Sequence, residues 1–205
     1  MNPKNQNNRI SNLLEHITDL LYRTWSAFLV AKHLDAVIDA PEYAPSRYFL
    51  SSVYGACIES AILGFSKLMS NTKNEISILY LLELVSRESA HSAVSYREEL
   101  QSFSQTHKQQ LLSMQPLVDN IKIWRDKAIA HSDRIHINNP SAIVQAEMID
   151  MDDPGLELMR LQDLINFYRQ EFGLGNIRLQ EAETKMASEW RHLEKLLKEN
   201  DYPGI

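Results

Sequence analysis

Eight residues near the start of the chain, Ile10, Leu13, Leu14, Ile17, Leu21, Thr24, Phe28 and Ala31, recur three or four positions apart. A stripe of that period lies on one face of an α-helix and needs other elements to cover it. The spacing predicts one long helix over about residues 10–39, after a polar tail at 1–9. Pro41 and Pro45 then bracket a turn. A second helix over about 46–70 carries Tyr48, Phe49, Val53, Ala56, Ile62, Phe65 and Met69 as its stripe.

The remainder reads the same way. Asn71 to Asn74 breaks the second helix, and Asn74 is the expected N-cap of a short helix ending near Ser86. Residues 92–114 carry a thinner stripe of Tyr96, Leu100, Phe103, Leu111 and Met114. Pro116 suits the first turn of a helix running to about Ile135. Asn138-Asn139-Pro140 stops it, and an irregular insertion is expected over about 138–155, with a brief extended piece closed by Asp152-Asp153-Pro154-Gly155. Helices over about 156–172 and 177–199 follow, divided by Gly173-Leu174-Gly175-Asn176. Only 6 Gly and 7 Pro occur in 205 residues, which suits long helices. The expected fold class is all-α, a single antiparallel bundle of about six or seven helices filling residues 10–200.

Composition narrows the function classes. The chain is 44% hydrophobic, so a substantial core can form. Cys57 is the only cysteine, which rules out an intrachain disulfide and fits a reducing compartment. It reads as a small core residue rather than a nucleophile. No signal-peptide pattern opens the chain, and no apolar run is read as reaching the roughly 18 residues of a membrane span. A cytoplasmic protein without membrane contact is expected. No metal is expected, because no His-Glu-x-x-His or paired-cysteine spacing occurs. No cofactor is expected, because there is no glycine-rich phosphate loop. The acidic stretch with Met148, Asp150, Asp152 and Asp153 lacks calcium-loop spacing and reads as solvated.

The net charge of −6 argues against a generic nucleic-acid coat protein, whose whole surface would be basic. The middle of the chain differs. Lys122, Arg125, Lys127 and Arg134 outweigh Asp126 and Asp133, a local balance of +2 before counting His131 and His136. On a helical wheel Ala128 separates Arg125 from His131, which diverge by about 120°. Ile121, Trp124, Ser132 and Ile135 share that sector, so a permanent cation and a titratable imidazole sit on an otherwise apolar face. Groups of that kind need partners when covered. A phosphate would be one, since a guanidinium matches its oxygens and an imidazole exchanges protons near neutral pH. A second copy of the chain would be another, a two-fold axis placing two Arg125 and two His131 in one cleft. Asp126 and Asp133 fall together on the opposite flank. Lys127, four residues before His131, would disfavour the protonated imidazole, whereas a helix C-terminus would favour it. The sequence leaves that balance open. It also leaves open a plain reading in which His131 is a core histidine and Arg125 pairs with Asp126.

The string Trp124 to Asp133, WRDKAIAHSD, resembles the HEPN superfamily of small all-α bundles. Its signature is an arginine, a polar residue, a few further residues and a histidine near the end of a late helix. Arg125, Asp126 and His131 match it. The wider pattern is similar to AbiU-type abortive-infection proteins, including the long first helix and the segment YFLSSVYGACIESAILGFSKLMS, and covers about residues 10–199. The resemblance implies a metal-independent endoribonuclease of an antiviral or toxin type, working as a homodimer on RNA. It further implies that His131 is the general acid or base, that Arg125 holds the scissile phosphate, and that Asp126 orients them. Products would be a 2′,3′-cyclic phosphate and a 5′-hydroxyl. Lys127, Ser132 and Asp133 are supporting candidates. Some HEPN toxins carry a tyrosine two residues after the histidine, which a partner nucleotidyltransferase, an antitoxin protein, modifies. Asp133 stands there in this chain. Two other readings use the same residues: a non-catalytic HEPN module that binds a nucleotide or protein, and a structural helical adaptor.

Overall fold

The computed structural model describes residues 3–72, 75–89, 97–124 and 152–199. Among them are seven α-helices, one 3-10 turn and no strand. Helix α1 spans Pro3–Val37, the 3-10 turn Pro41–Ser46, and α2 Arg47–Leu68. Then follow α3 (Ile78–Ser89), α4 (Arg97–Ser113), α5 (Gln115–Trp124), α6 (Asp152–Glu171) and α7 (Leu179–Glu199).

The stripe on α1 organises the molecule. All eight of its residues are buried, with Leu14, Ile17, Leu21 and Ala31 fully so. They meet Ile62, Phe65 and Leu68 of α2, Ile78, Leu81, Leu82 and Val85 of α3, and Leu158, Leu161, Ile165 and Tyr168 of α6 in one core. A smaller cluster of Leu34, Tyr43 and Leu50 closes the far end of α1. Two glycines let helices touch α1 closely. A Cβ on Gly64 of α2 would collide with Thr24 Oγ1, and one on Gly155 of α6 would lie 3.0 Å from the Phe28 ring.

Several expectations are revised. The cap of α3 is Ser77, not Asn74. The Ser77 hydroxyl accepts the Tyr80 N–H at 3.2 Å, and its carbonyl takes the Leu81 N–H. The residues Asp152 to Gly155 do not end an irregular segment. They form the first turn of α6, where a proline is tolerated because its missing N–H has no helical acceptor. Residues 138–151, with the expected extended piece, lie outside the described residues. The stripe expected on α2 is split. Ile62, Phe65 and Met69 are buried, but Tyr48 is 88% exposed and Phe49 66% exposed, and Ala56 is exposed too. Also, α2 is long and apolar enough by length and composition to cross a membrane, although only 22% of that stretch is buried. Cys57, on the same helix, is half-buried rather than core.

Gly173 ends α6 with φ +73°, which favours glycine. The Leu174 N–H bonds to the Arg169 carbonyl at 2.6 Å and the Gly173 N–H to the Gln170 carbonyl at 3.0 Å, a Schellman arrangement. The sequence reading of Gly173 as an interruption is matched here.

Candidate functional site

The residues singled out by sequence, Arg125, Asp126, Lys127, His131, Ser132 and Asp133, lie outside the described residues. The structure does describe the helix that leads to them. Met114 caps α5 with its carbonyl, which accepts the Val118 N–H at 3.1 Å. Pro116 occupies the first turn, as its fixed φ favours. Gln115 donates to Asp119 Oδ1 at 2.7 Å along the exposed side. Met114, Val118 and Ile121 are buried at spacings of four and three, and this row docks α5 on α2 and α4. The helix is intact to Trp124, the residue before Arg125.

A second group of polar side chains is fully described. Between α4, Met114 and α6 lies a cleft of about 460 Å³, bordered by His107, Gln110, Ser113, Glu157, Arg160 and Asp163. His107 Nδ1 lies 2.9 Å from the Tyr168 hydroxyl. Burial pushes the Tyr168 pKa well above the usual phenol range, so the hydroxyl keeps its proton, and it donates to Nδ1 or accepts from it according to the imidazole tautomer. Burial also lowers the His107 pKa, which favours the neutral imidazole. Phe103, Phe167 and Tyr168 surround the ring. Across the cleft, Arg160 donates to Glu157 Oε1 at 2.5 Å, while Glu157 Oε2 is buried without a hydrogen-bond partner among the described residues. The arrangement can hold polar groups. It pairs His107 with a phenol that burial holds in its protonated form, so it offers no phenolate nucleophile.

Arg169 is the most buried cation described, 7% exposed. It donates to Gly175 O at 2.6 Å and Thr18 Oγ1 at 3.0 Å, and pairs with Glu15 at 3.1 Å. All its partners are internal, and its role is to tie the α6–α7 loop to α1. Cys57 gains no nucleophilic character, because burial raises its thiol pKa. Trp25 is buried in the core. Trp190 is half-buried and meets the His33 ring edge-on at 4.3 Å. No group of three or more His, Cys, Asp or Glu side chains converges as a metal site among the described residues.

The sequence reading did not find the pairing of His107 with Tyr168. No local pattern signals a contact between residues 61 positions apart.

A family model of the HEPN type, described as AbiU2, matches residues 5–193. No curated protein and no solved structure matches the chain.

Proposed function

The chain belongs to the AbiU2 family of HEPN domains, and from that membership we propose that it is a metal-independent endoribonuclease of an antiviral or toxin type. The observation that carries this reading is the string Arg125-Asp126 with His131, starting one residue past the described end of α5 and inside the matched span.

The chemistry needs few parts. The ribose 2′-oxygen attacks the adjacent phosphorus as its proton is removed. The bond from phosphorus to the 5′-oxygen breaks, and that oxygen takes up a proton. The result is a 2′,3′-cyclic phosphate and a 5′-hydroxyl. One His131 serves as base or acid, and a second copy supplies the complementary imidazole. Arg125 stabilises the charge building on the phosphoryl oxygens through paired N–H donors. Asp126 orients the pair, with Lys127, Ser132 and Asp133 supporting at the rim. On a helical wheel Arg125 and His131 diverge by about 120°, so a site shared between two copies makes better geometric sense than one helix acting alone. The local positive balance around Arg125 draws RNA to a chain that is acidic overall, so binding should weaken as salt rises. A cytoplasmic setting and an antitoxin protein covering the site belong to the same reading.

The test is cleavage of a labelled RNA in the presence of a chelator. Wild-type protein is expected to cut. His131→Ala should lower the rate by about 10²–10⁴-fold with an unchanged melting temperature. RNA that stays intact with folded wild-type protein sinks the reading. Undiminished RNA binding in that outcome would make the domain a non-catalytic binding module.

A further inference from the structure

Helices α4 and α6 are held mainly by other partners, α4 by α3 and α5, and α6 by α1. They meet each other through the His107–Tyr168 contact and through the Phe103 and Phe167 rings, whose centroids are 5.1 Å apart. Beyond that strut they flank the cleft of about 460 Å³. Its lining recurs at i, i+3, i+4 and i+7, from His107 through Met114 and from Glu157 through Leu164. Leu111, Met114, Leu161 and Leu164 are buried and give it an apolar floor. A cavity of this size, apolar below with a few polar groups at its rim, has the form of a small-molecule site.

The rim selects the chemistry of the ligand. Glu157 and Asp163 set two carboxylates against the single guanidinium of Arg160, which leaves one net negative charge. His107 adds none near pH 7, because burial favours its neutral ring. Arg160 engages Glu157 through Oε1, while Oε2 is shielded from water and has no partner among the described residues. A carboxylate oxygen in that state lacks a donor. Carboxylate torsions are broad, so a modest turn of the Glu157 head presents Oε2 to the cleft. Asp163 is exposed, and the bond it accepts from Gln162 is long, at 3.4 Å. An ammonium group supplies the positive charge and the N–H donors that these carboxylates call for. An apolar body attached to it suits the floor. An anionic ligand would meet two carboxylates instead.

We propose that the cleft between α4 and α6 binds a small organic amine, its ammonium held by Glu157 and Asp163 and its apolar body lying on Leu111 and Leu164. The inference uses neither Arg125 nor His131 and does not rest on the ribonuclease reading.

The experiment titrates the full chain with phenethylamine and follows NMR chemical shifts, with phenethyl alcohol as the uncharged control. The amine should bind with a Kd on the order of 1 mM, as suits so small a ligand, and should shift the signals of His107 and Leu164. The alcohol should bind more weakly by roughly 3-fold or more. Asp163→Asn, on an exposed side chain, should weaken amine binding by roughly 3-fold to 10-fold. Arg160→Gln removes the competing cation and should tighten it by a similar factor. Melting temperatures confirm that both variants are folded. No saturable shift at about 20 mM amine overturns the proposal. So does equal affinity for amine and alcohol, or weaker amine binding in Arg160→Gln. Acetyl-lysine amide, with its side-chain ammonium free, serves as a third probe. If it binds more than about 10-fold tighter than phenethylamine, the small-molecule assignment fails and the cleft belongs to a lysine side chain of a protein partner.

Discussion

Helices α1 and α2 invite comparison because the more apolar of the two is the less buried. Of the two, only α2 is apolar enough by composition to cross a membrane, yet 22% of that stretch is covered. Helix α1 begins with a polar tail and carries charges along its length, yet its eight-residue stripe is entirely buried. Burial follows from what the other helices can reach. α1 is touched by α2, α3, α6 and α7. α2 is covered by α1 along one side and by α5, while the side bearing Tyr48, Ser52, Gly55 and Glu59 has no neighbour among the described elements. Apolar composition sets how much burial is available to a helix, and topology decides how much it receives.

This contrast can be broken by substitution. Leu21→Ala, in the fully buried stripe of α1, should cost about 3 kcal/mol of unfolding free energy, from lost transfer and a residual cavity. A cost under 1 kcal/mol in urea unfolding would mean that the stripe is not the organising core. Next come two glycines on one helix, predicted to respond with opposite sign. Gly64→Ala must push Thr24 away and should destabilise by roughly 1–3 kcal/mol. Gly55→Ala faces open space and should stabilise the single chain by roughly 0.5–1 kcal/mol through helix propensity. Both are read from urea midpoints at a concentration where the chain is monomeric. Matching signs would show that the covered and uncovered halves of α2 are not distinct.

The smallest effect is a pH dependence. The folded-state pKa of His107 is lowered from 6.5 by burial. The unfolded chain therefore binds a proton at higher pH than the folded one does. The stability associated with neutral His107 is complete above about pH 6.5 and declines as pH falls below it. Melting temperatures between pH 7.5 and 5 should fall less steeply for His107→Gln than for wild type. Parallel profiles would mean that His107 is solvated as freely in the fold as in the unfolded chain.

The sequence exposed the helices and most of their ends because those depend on neighbours three or four residues away. The α1 stripe, Pro116 in the first turn of α5 and the glycine stop at Gly173 are all local signals. Capping was less legible. Asn74 and Ser77 are both good N-cap residues, and only the buried docking of Ile78 and Leu81 selects Ser77. Asp-Asp-Pro-Gly is turn chemistry and first-turn helix chemistry alike, and the packing of Gly155 on Phe28 accompanies the helical outcome. The candidate motif was legible as a string, because family resemblance resides in residue identity and spacing. The His107–Tyr168 pair was not, because nothing near either residue encodes the other.

By itself, then, the sequence determined an all-α chain, the buried face of α1, and membership of a family whose model matches residues 5–193. These rest on periodicity and on motif, both written along the chain. Only the tertiary structure decided that α2 hides one half and presents the other. It alone brought Arg169 to Glu15 and, across 151 positions, to Thr18, and His107 to Tyr168. The physical reason is that helical patterning records which side of an element prefers to leave water, not which elements are in reach to receive it.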